Sequence, residues 1–142
     1  MSAGSAAKLY TPEILGLATQ LAAFPLSEDM QCRGEARSRT CGSTLSIGLE
    51  VDDKGAVTRL GLRASACAIG QAAASIFAQD VKGRTRADIE RALVPLEAWL
   101  SGAESAPVWQ GIQVLDAARA HPARHGAIML AWKAAIEALP KH

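Results

Sequence analysis

Ser43-Thr44-Leu45-Ser46-Ile47-Gly48-Leu49-Glu50-Val51 alternates without a break. Leu45, Ile47, Leu49 and Val51 fall on one face and Thr44, Ser46, Gly48 and Glu50 on the other, the period of a half-buried strand. Asp52-Asp53-Lys54-Gly55 is turn chemistry, and Val57 to Arg63 returns as the partner strand with Leu60 and Leu62 two apart. A hairpin brings its outer ends together. Here those ends carry Cys41, before the first strand, and Cys67, where the second strand gives way to a helix. Gly42 and Ala68 follow the two cysteines and are small, so the backbone can turn tightly there and leave sulfur accessible.

Downstream of the hairpin, Cys67 to Lys82 reads as a helix, with Ile69, Ala72, Ala73, Ile76 and Phe77 at helical spacing and Gly83 as the stop. Gln71-Ala72-Ala73-Ala74-Ser75 is small enough for close packing on the sheet. Cys67 then stands at the helix N-terminus, where unsatisfied N–H groups and the helix dipole favour a thiolate. The competing reading is an inert cysteine capping the core. Thr85 caps the next helix with Asp88 three residues on, Ile89, Ala92, Leu93, Leu96 and Leu100 form its buried face, and Pro95 inside it predicts a kink or a split. After a linker over Ser101 to Pro107, Asp116 to Ala120 reads as a short helix. The final helix spans Pro122 to Leu139, opening at Ala123-Arg124-His125.

Upstream, Thr11-Pro12-Glu13 is a helix start that leads into Ile14, Leu17, Ala18 and Leu21, and Pro25 ends it. Ser27 to Thr40 is polar and basic, with a short edge strand expected. It holds Cys32, whose thiolate the neighbouring Arg33, Arg37 and Arg39 would favour unless it is an incidental exposed thiol. Met1 to Tyr10 reads as a flexible tail, and residues 11–142 as a single domain, which suits a chain of 142 residues. A formal charge of +1 gives no footprint for nucleic acid or an anionic membrane. No run approaches the ~20 apolar residues of a membrane span, and no signal-peptide pattern opens the sequence. Three cysteines without a secreted-scaffold spacing point to reduced thiols in a cytoplasm.

His125 is the one histidine that could reach the cysteine end, since it opens the final helix. Imidazole with two thiolates suits Zn²⁺ or an iron–sulfur cluster, although a histidine at a helix start is by itself more often structural. There is no phosphate-binding glycine loop, no nucleophile motif and no carboxylate pair with a reason to meet. The residues alone give an α+β domain with a two-cysteine surface site suited to metal or sulfur chemistry.

Thr40-Cys41-Gly42-Ser43, the alternating strand, Ala66-Cys67-Ala68-Ile69-Gly70-Gln71-Ala72-Ala73-Ala74-Ser75 and Val81-Lys82-Gly83-Arg84-Thr85 together resemble the NifU-like N-terminal domain, the IscU and SufU type of iron–sulfur cluster assembly scaffold. The resemblance runs from about Thr11 to Leu139. It implies a small three-stranded antiparallel sheet covered by helices on one face, the SufE/NifU-like fold. It also implies a site of three cysteines and an aspartate at one end of the molecule. Cys41 and Cys67 match the first two cysteines. The aspartate position is Ser43. Counting back from Trp132, the third cysteine falls on Ala127, with His125 two residues away.

A chain keeping two of four ligands leaves three readings, in this order. The first is a scaffold or carrier, not an enzyme, holding a labile [2Fe–2S] cluster or iron through Cys41, Cys67 and His125. It takes sulfur from a cysteine desulfurase and passes cluster to apo iron–sulfur clients. A cluster bridged by two chains would reach four thiolates, so both monomer and homodimer are compatible. The second is a degenerate domain that binds a partner or regulates it, without metal. The third is a zinc-dependent sulfur acceptor, which the missing aspartate and cysteine disfavour. Cys32 and Ser43 stand as further donors whose participation is open. The docking surface would be the exposed sheet face or the cysteine end.

Overall fold

A computed structural model describes residues 9–39 and 42–141. Along the chain come α1 (Pro12–Gln20), β1 (Cys32–Arg37), β2 (Thr44–Val51), β3 (Val57–Ser65), α2 (Ala68–Asp80), α3 (Arg86–Leu100) and α4 (His125–Ala138). Short 3-10 segments lie at Leu21–Ala23, Ile112–Ala120 and Pro122–Arg124. The strands form one antiparallel sheet in the order β1-β2-β3, so the architecture is the expected α+β one.

The hairpin pairs Thr44 with Ser65 at one end and Leu49 with Leu60 near the other. Its turn is an Asx turn: the Asp52 carboxylate accepts from the Lys54 and Ala56 amides at 2.9 and 3.0 Å. Leu45, Ile47, Leu49, Leu60 and Leu62 share one face and are buried. That face meets the helices. α4 lies over β1 and β2, and α2 packs beside it, against β3 and under α1. The small residues of α2 are what let so many neighbours close in, for Ile69, Gly70 and Ala72–Ala78 are all buried. On β1, a Cβ at Gly34 would stand 2.6 Å from the Ala134 carbonyl, so α4 rests on that strand backbone to backbone. Leu9, read from the sequence as tail, is buried in the same core.

The other sheet face departs from the expectation of an open, wet surface. The Phe24 carbonyl accepts from the Leu62 amide at 2.9 Å, so Pro25 bridges the outer edge of β3. The chain must then reach β1, at the far side of the sheet. It crosses over Gly61 and Gly48, which pair with each other. A Cβ at Gly61 would overlap the Pro25 carbonyl at 2.0 Å, and one at Gly48 would meet Met30 Sδ at 2.6 Å. Two glycines facing each other thus leave a bare track for the Pro25–Met30 crossing.

Pro95 does not split its helix in two: Arg86–Leu100 is one continuous element with the proline inside it. The proline is exposed, so the carbonyl it leaves without a partner can face water, and Leu96, Trp99 and Leu100 anchor the following turn in the core. The helix start is a capping box. Thr85 Oγ1 accepts from the Asp88 amide at 3.3 Å, and Asp88 accepts in return from the Thr85 amide at 3.0 Å. The Thr85 amide, with help from the Thr85 hydroxyl and Arg91, holds the Asp88 carboxyl below the usual carboxylate range.

Candidate functional site

Cys67 is the N-cap of α2, in extended backbone between the end of β3 and the first helical turn. Its carbonyl accepts from the Gln71 amide at 2.9 Å, and the Gln71 side chain donates to the Ala66 carbonyl at 3.0 Å. The turn carrying the sulfur is therefore tied down twice, while Sγ makes no capping hydrogen bond and the residue stays half-buried. The expected helix N-terminal position is the observed one.

Across the Thr44–Ser65 rung the chain enters β2 through a tight loop. The Ser43 carbonyl accepts from the Ser38 amide at 2.8 Å, and the Ser38 carbonyl accepts from the Gly42 amide at 3.1 Å. Gly42 has φ 72°, in the left-handed region, with open space where a Cβ would stand, so glycine serves the backbone conformation there and not the packing. Ser43, at the aspartate position, is buried. Cys41 lies outside the described residues; Ser38 and Ser43, joined by their backbone bond, stand at the same end of the sheet as Cys67.

The position matched to the third cysteine also lies at this end. A Cβ at Gly70 would meet Ala66 Cβ at 2.9 Å and Ala127 Cβ at 3.2 Å, so the start of α4 packs on the first turn of α2. Ala127 is buried and offers a methyl at the position matched to that cysteine. His125, two residues earlier, turns another way. Its Nε2 is 3.1 Å from the Arg119 carbonyl, and the ring lines a recess with Leu100, Ser101, Gly102, Ala120 and Pro122. Among the described residues no three His, Cys, Asp or Glu side chains gather in a way that could hold a metal ion.

Cys32, left open above as a further donor, lies far from Cys67. It pairs with Leu49, five residues along β2 from Thr44, which is roughly 17 Å at about 3.4 Å per residue. Strand alternation also separates it from its arginines. Cys32 lies on the core face and Arg33 on the outer one, where the Arg33 guanidinium donates to the Glu28 carbonyl at 3.0 Å. Burial pushes the Cys32 thiol up, the reverse of the arginine-stabilised thiolate that proximity in sequence suggested.

Sequence reading also missed a feature of the outer face. Arg37 stands beside Thr44 on the last rung, and Arg63 stands beside Ser46 one face-repeat further in. Only the register of all three strands brings these two arginines onto one surface.

Comparison with protein-family models and with curated proteins finds no match. Solved structures do match. The chain is similar to a nitrogen-fixing NifU-like protein (N-terminal) from Brucella abortus, with a TM-score of 0.82 and 26% identity over 94% of both chains. It also matches a candidate iron–sulfur cluster assembly scaffold protein of the SUF system from the thermophile Fervidobacterium islandicum. There the TM-score is 0.79 and the identity 19%, over 93% of this chain and 97% of that one. With the sheet, the helix order and the Cys67 turn all in place, the chain has the NifU-like N-terminal fold over nearly its whole length, as its Cys-Gly pair, hairpin and small-residue helix indicated.

Proposed function

We propose that the chain serves in iron–sulfur cluster assembly as a scaffold or carrier, handling sulfur and cluster at Cys41 and Cys67. The likeness to NifU-like and SUF-type scaffold proteins supports the general role. The single observation that carries the reading to a site is Cys67 itself: a half-buried thiol with no capping bond, held on a doubly tied turn at the N-terminus of a 13-residue helix. Such a helix end favours negative charge. A cysteine desulfurase supplies the sulfur. The Cys67 thiolate attacks the terminal sulfur of the donor's persulfide, the donor's S–S bond breaks, and its cysteine departs as a thiolate, leaving the persulfide on Cys67.

As cargo, a cluster would meet Cys41 and Cys67 of one chain. Ala127 adds no donor, and His125 can join through Nε2 only by leaving the Arg119 carbonyl. Two thiolates per chain make a labile cluster, or one shared by two chains. A second reading, a domain that binds a partner without metal, is favoured by the buried Ala127 methyl at the third position.

Metal and sulfide analysis with absorption spectra, after anaerobic supply of iron and sulfide, separates the two. The wild type, Cys41→Ala, Cys67→Ala, His125→Ala and Ala127→Cys would be compared. The scaffold reading expects sulfide-to-iron absorption that both cysteine variants lose and that Ala127→Cys protects against a chelator. Loss in His125→Ala would name the third ligand. Wild-type protein that takes up no iron and accepts no sulfur from a desulfurase sinks the reading and leaves the partner-binding domain.

A further inference from the structure

The two halves of the outer sheet face treat their arginines differently. At the end away from Cys67, Arg59 pairs with Glu50 at 3.1 Å and lies 3.9 Å from Asp29, and Arg33 is held by the Glu28 carbonyl. At the cysteine end, Arg37 and Arg63 share the face and Arg39 follows in the loop that leads to Gly42; all three are exposed. Among the described residues no carboxylate forms an ion pair with any of the three, although Glu35 stands on the same face, two strands across from Arg63. Ser65, on the Arg37 rung, is two residues from Cys67.

We propose that Arg37, Arg39 and Arg63 form a docking rim for an acidic patch on the protein that delivers sulfur to Cys67. The inference deepens the scaffold reading and rests on it. Guanidinium forks pair with carboxylates in a fixed geometry and keep their charge at every physiological pH. A nucleic acid is the poorer occupant. The whole chain carries only +1, and Glu35 interrupts the rim, whereas a phosphate backbone calls for a continuous basic stripe. A partner with a few carboxylates, steered onto the rim before sulfur transfer, fits the number and placement of the charges.

The test is the affinity of the full-length chain for the cysteine desulfurase of its source organism, at low and high salt. Variants are Arg37→Glu/Arg63→Glu, the milder Arg37→Gln/Arg63→Gln, and Lys133→Glu on exposed α4 surface as a control. Charge reversal weakens binding by about tenfold or more, neutralisation by less, Lys133→Glu leaves it unchanged, and wild-type binding falls with salt. Unchanged thermal melting shows that the variants fold. Sulfur loading of Cys67 is followed by mass in parallel. If Cys67 is loaded and the charge-reversed chain binds as tightly as the wild type, the rim fails and the scaffold reading stands. If the wild type neither binds nor takes up sulfur, both fall. Binding of labelled duplex DNA tighter than that of the desulfurase, and lost on charge reversal, would give the rim to nucleic acid and overturn the proposal.

Discussion

The two ends of α2 are built on opposite principles. At the C-terminal end, Phe77 stacks on Trp109 with ring centroids 5.4 Å apart, and Trp132 meets both edge-on at 5.2 Å. Trp109 Nε1 donates to the Ile76 carbonyl at 3.0 Å, and the Arg84 guanidinium covers the outside of that ring at 4.0 Å. Arg84 is itself fixed by Asp80 at 2.7 Å. The N-terminal end shows small groups instead. Ala66, Gly70 and Ala127 meet there as methyl and backbone, and Cys67 sits on top. Since Gly70 meets Ala127 and Phe77 meets Trp132, α2 and α4 run side by side in the same direction. One end of the pair is locked by large interlocking rings. The other is held by close approach of small groups, which leaves room beside a sulfur atom without loosening the backbone that carries it.

On this contrast the largest effect comes from the aromatic end. Trp109→Ala removes a stack, a buried hydrogen bond and the seat of Arg84, and should cost about 3–5 kcal/mol in a denaturant titration. A loss below ~1 kcal/mol would mean that the rings are not what fixes that end. Next is Gly70→Val, which forces branched carbon into the Ala66 and Ala127 contacts. Overpacking of this kind costs roughly 1–3 kcal/mol, and a shift of the Cys67 turn should show in its amide resonances. A neutral Gly70→Val would break the comparison, because it would make the small-residue end slack.

The smallest effect is a difference in rate. With metal-free protein near neutral pH, Cys67 should alkylate faster than Cys32 by a factor of several, since burial disfavours the Cys32 thiolate. The sign follows from the raised Cys32 value. Its neutral thiol is favoured in the folded chain, so its labelling stays slow until the pH exceeds that raised value. The stability it contributes is present at lower pH and fades as the pH climbs through it. Equal rates for the two cysteines would place Cys67 among inert core thiols.

Local chemistry was enough for much of the fold. The period-two run over Thr44–Val51, the Asx turn at Asp52, the Thr85 and Asp88 capping box and the small-residue face of α2 each carry their structure in neighbouring residues. Pro95 does not split its helix because the carbonyl it orphans can face water, and exposure belongs to the folded molecule. The arginine-stabilised thiolate at Cys32 fails for a related reason. Closeness in sequence to three arginines says nothing about which side of a strand each one takes once β1 is paired.

The site was legible in part. Cys67 at a helix start could be read from spacing, because it depends on where a helix begins. Ala127 as the match to a third cysteine came from the resemblance, and its contact with Gly70 from the fold. The direction of His125 could not, since its partner is a carbonyl in the 3-10 segment six residues back. Nor could the arginine rim.

The sequence by itself determined the hairpin, the starts of α1, α2 and α3, the thiol at Cys67 and the absence of acid and thiol at Ser43 and Ala127, because these depend on periodicity, caps and residue identity. The last helix, expected from Pro122, begins at His125 after a 3-10 turn. Only the tertiary structure decided that the Pro25–Met30 segment crosses the outer face over Gly48 and Gly61 and that Cys32 lies remote from Cys67. It alone also set Arg37 and Arg63 on one surface beside the cysteine end. Each of these depends on the pairing of strands distant in sequence, and register is fixed only when the whole sheet closes on its helices.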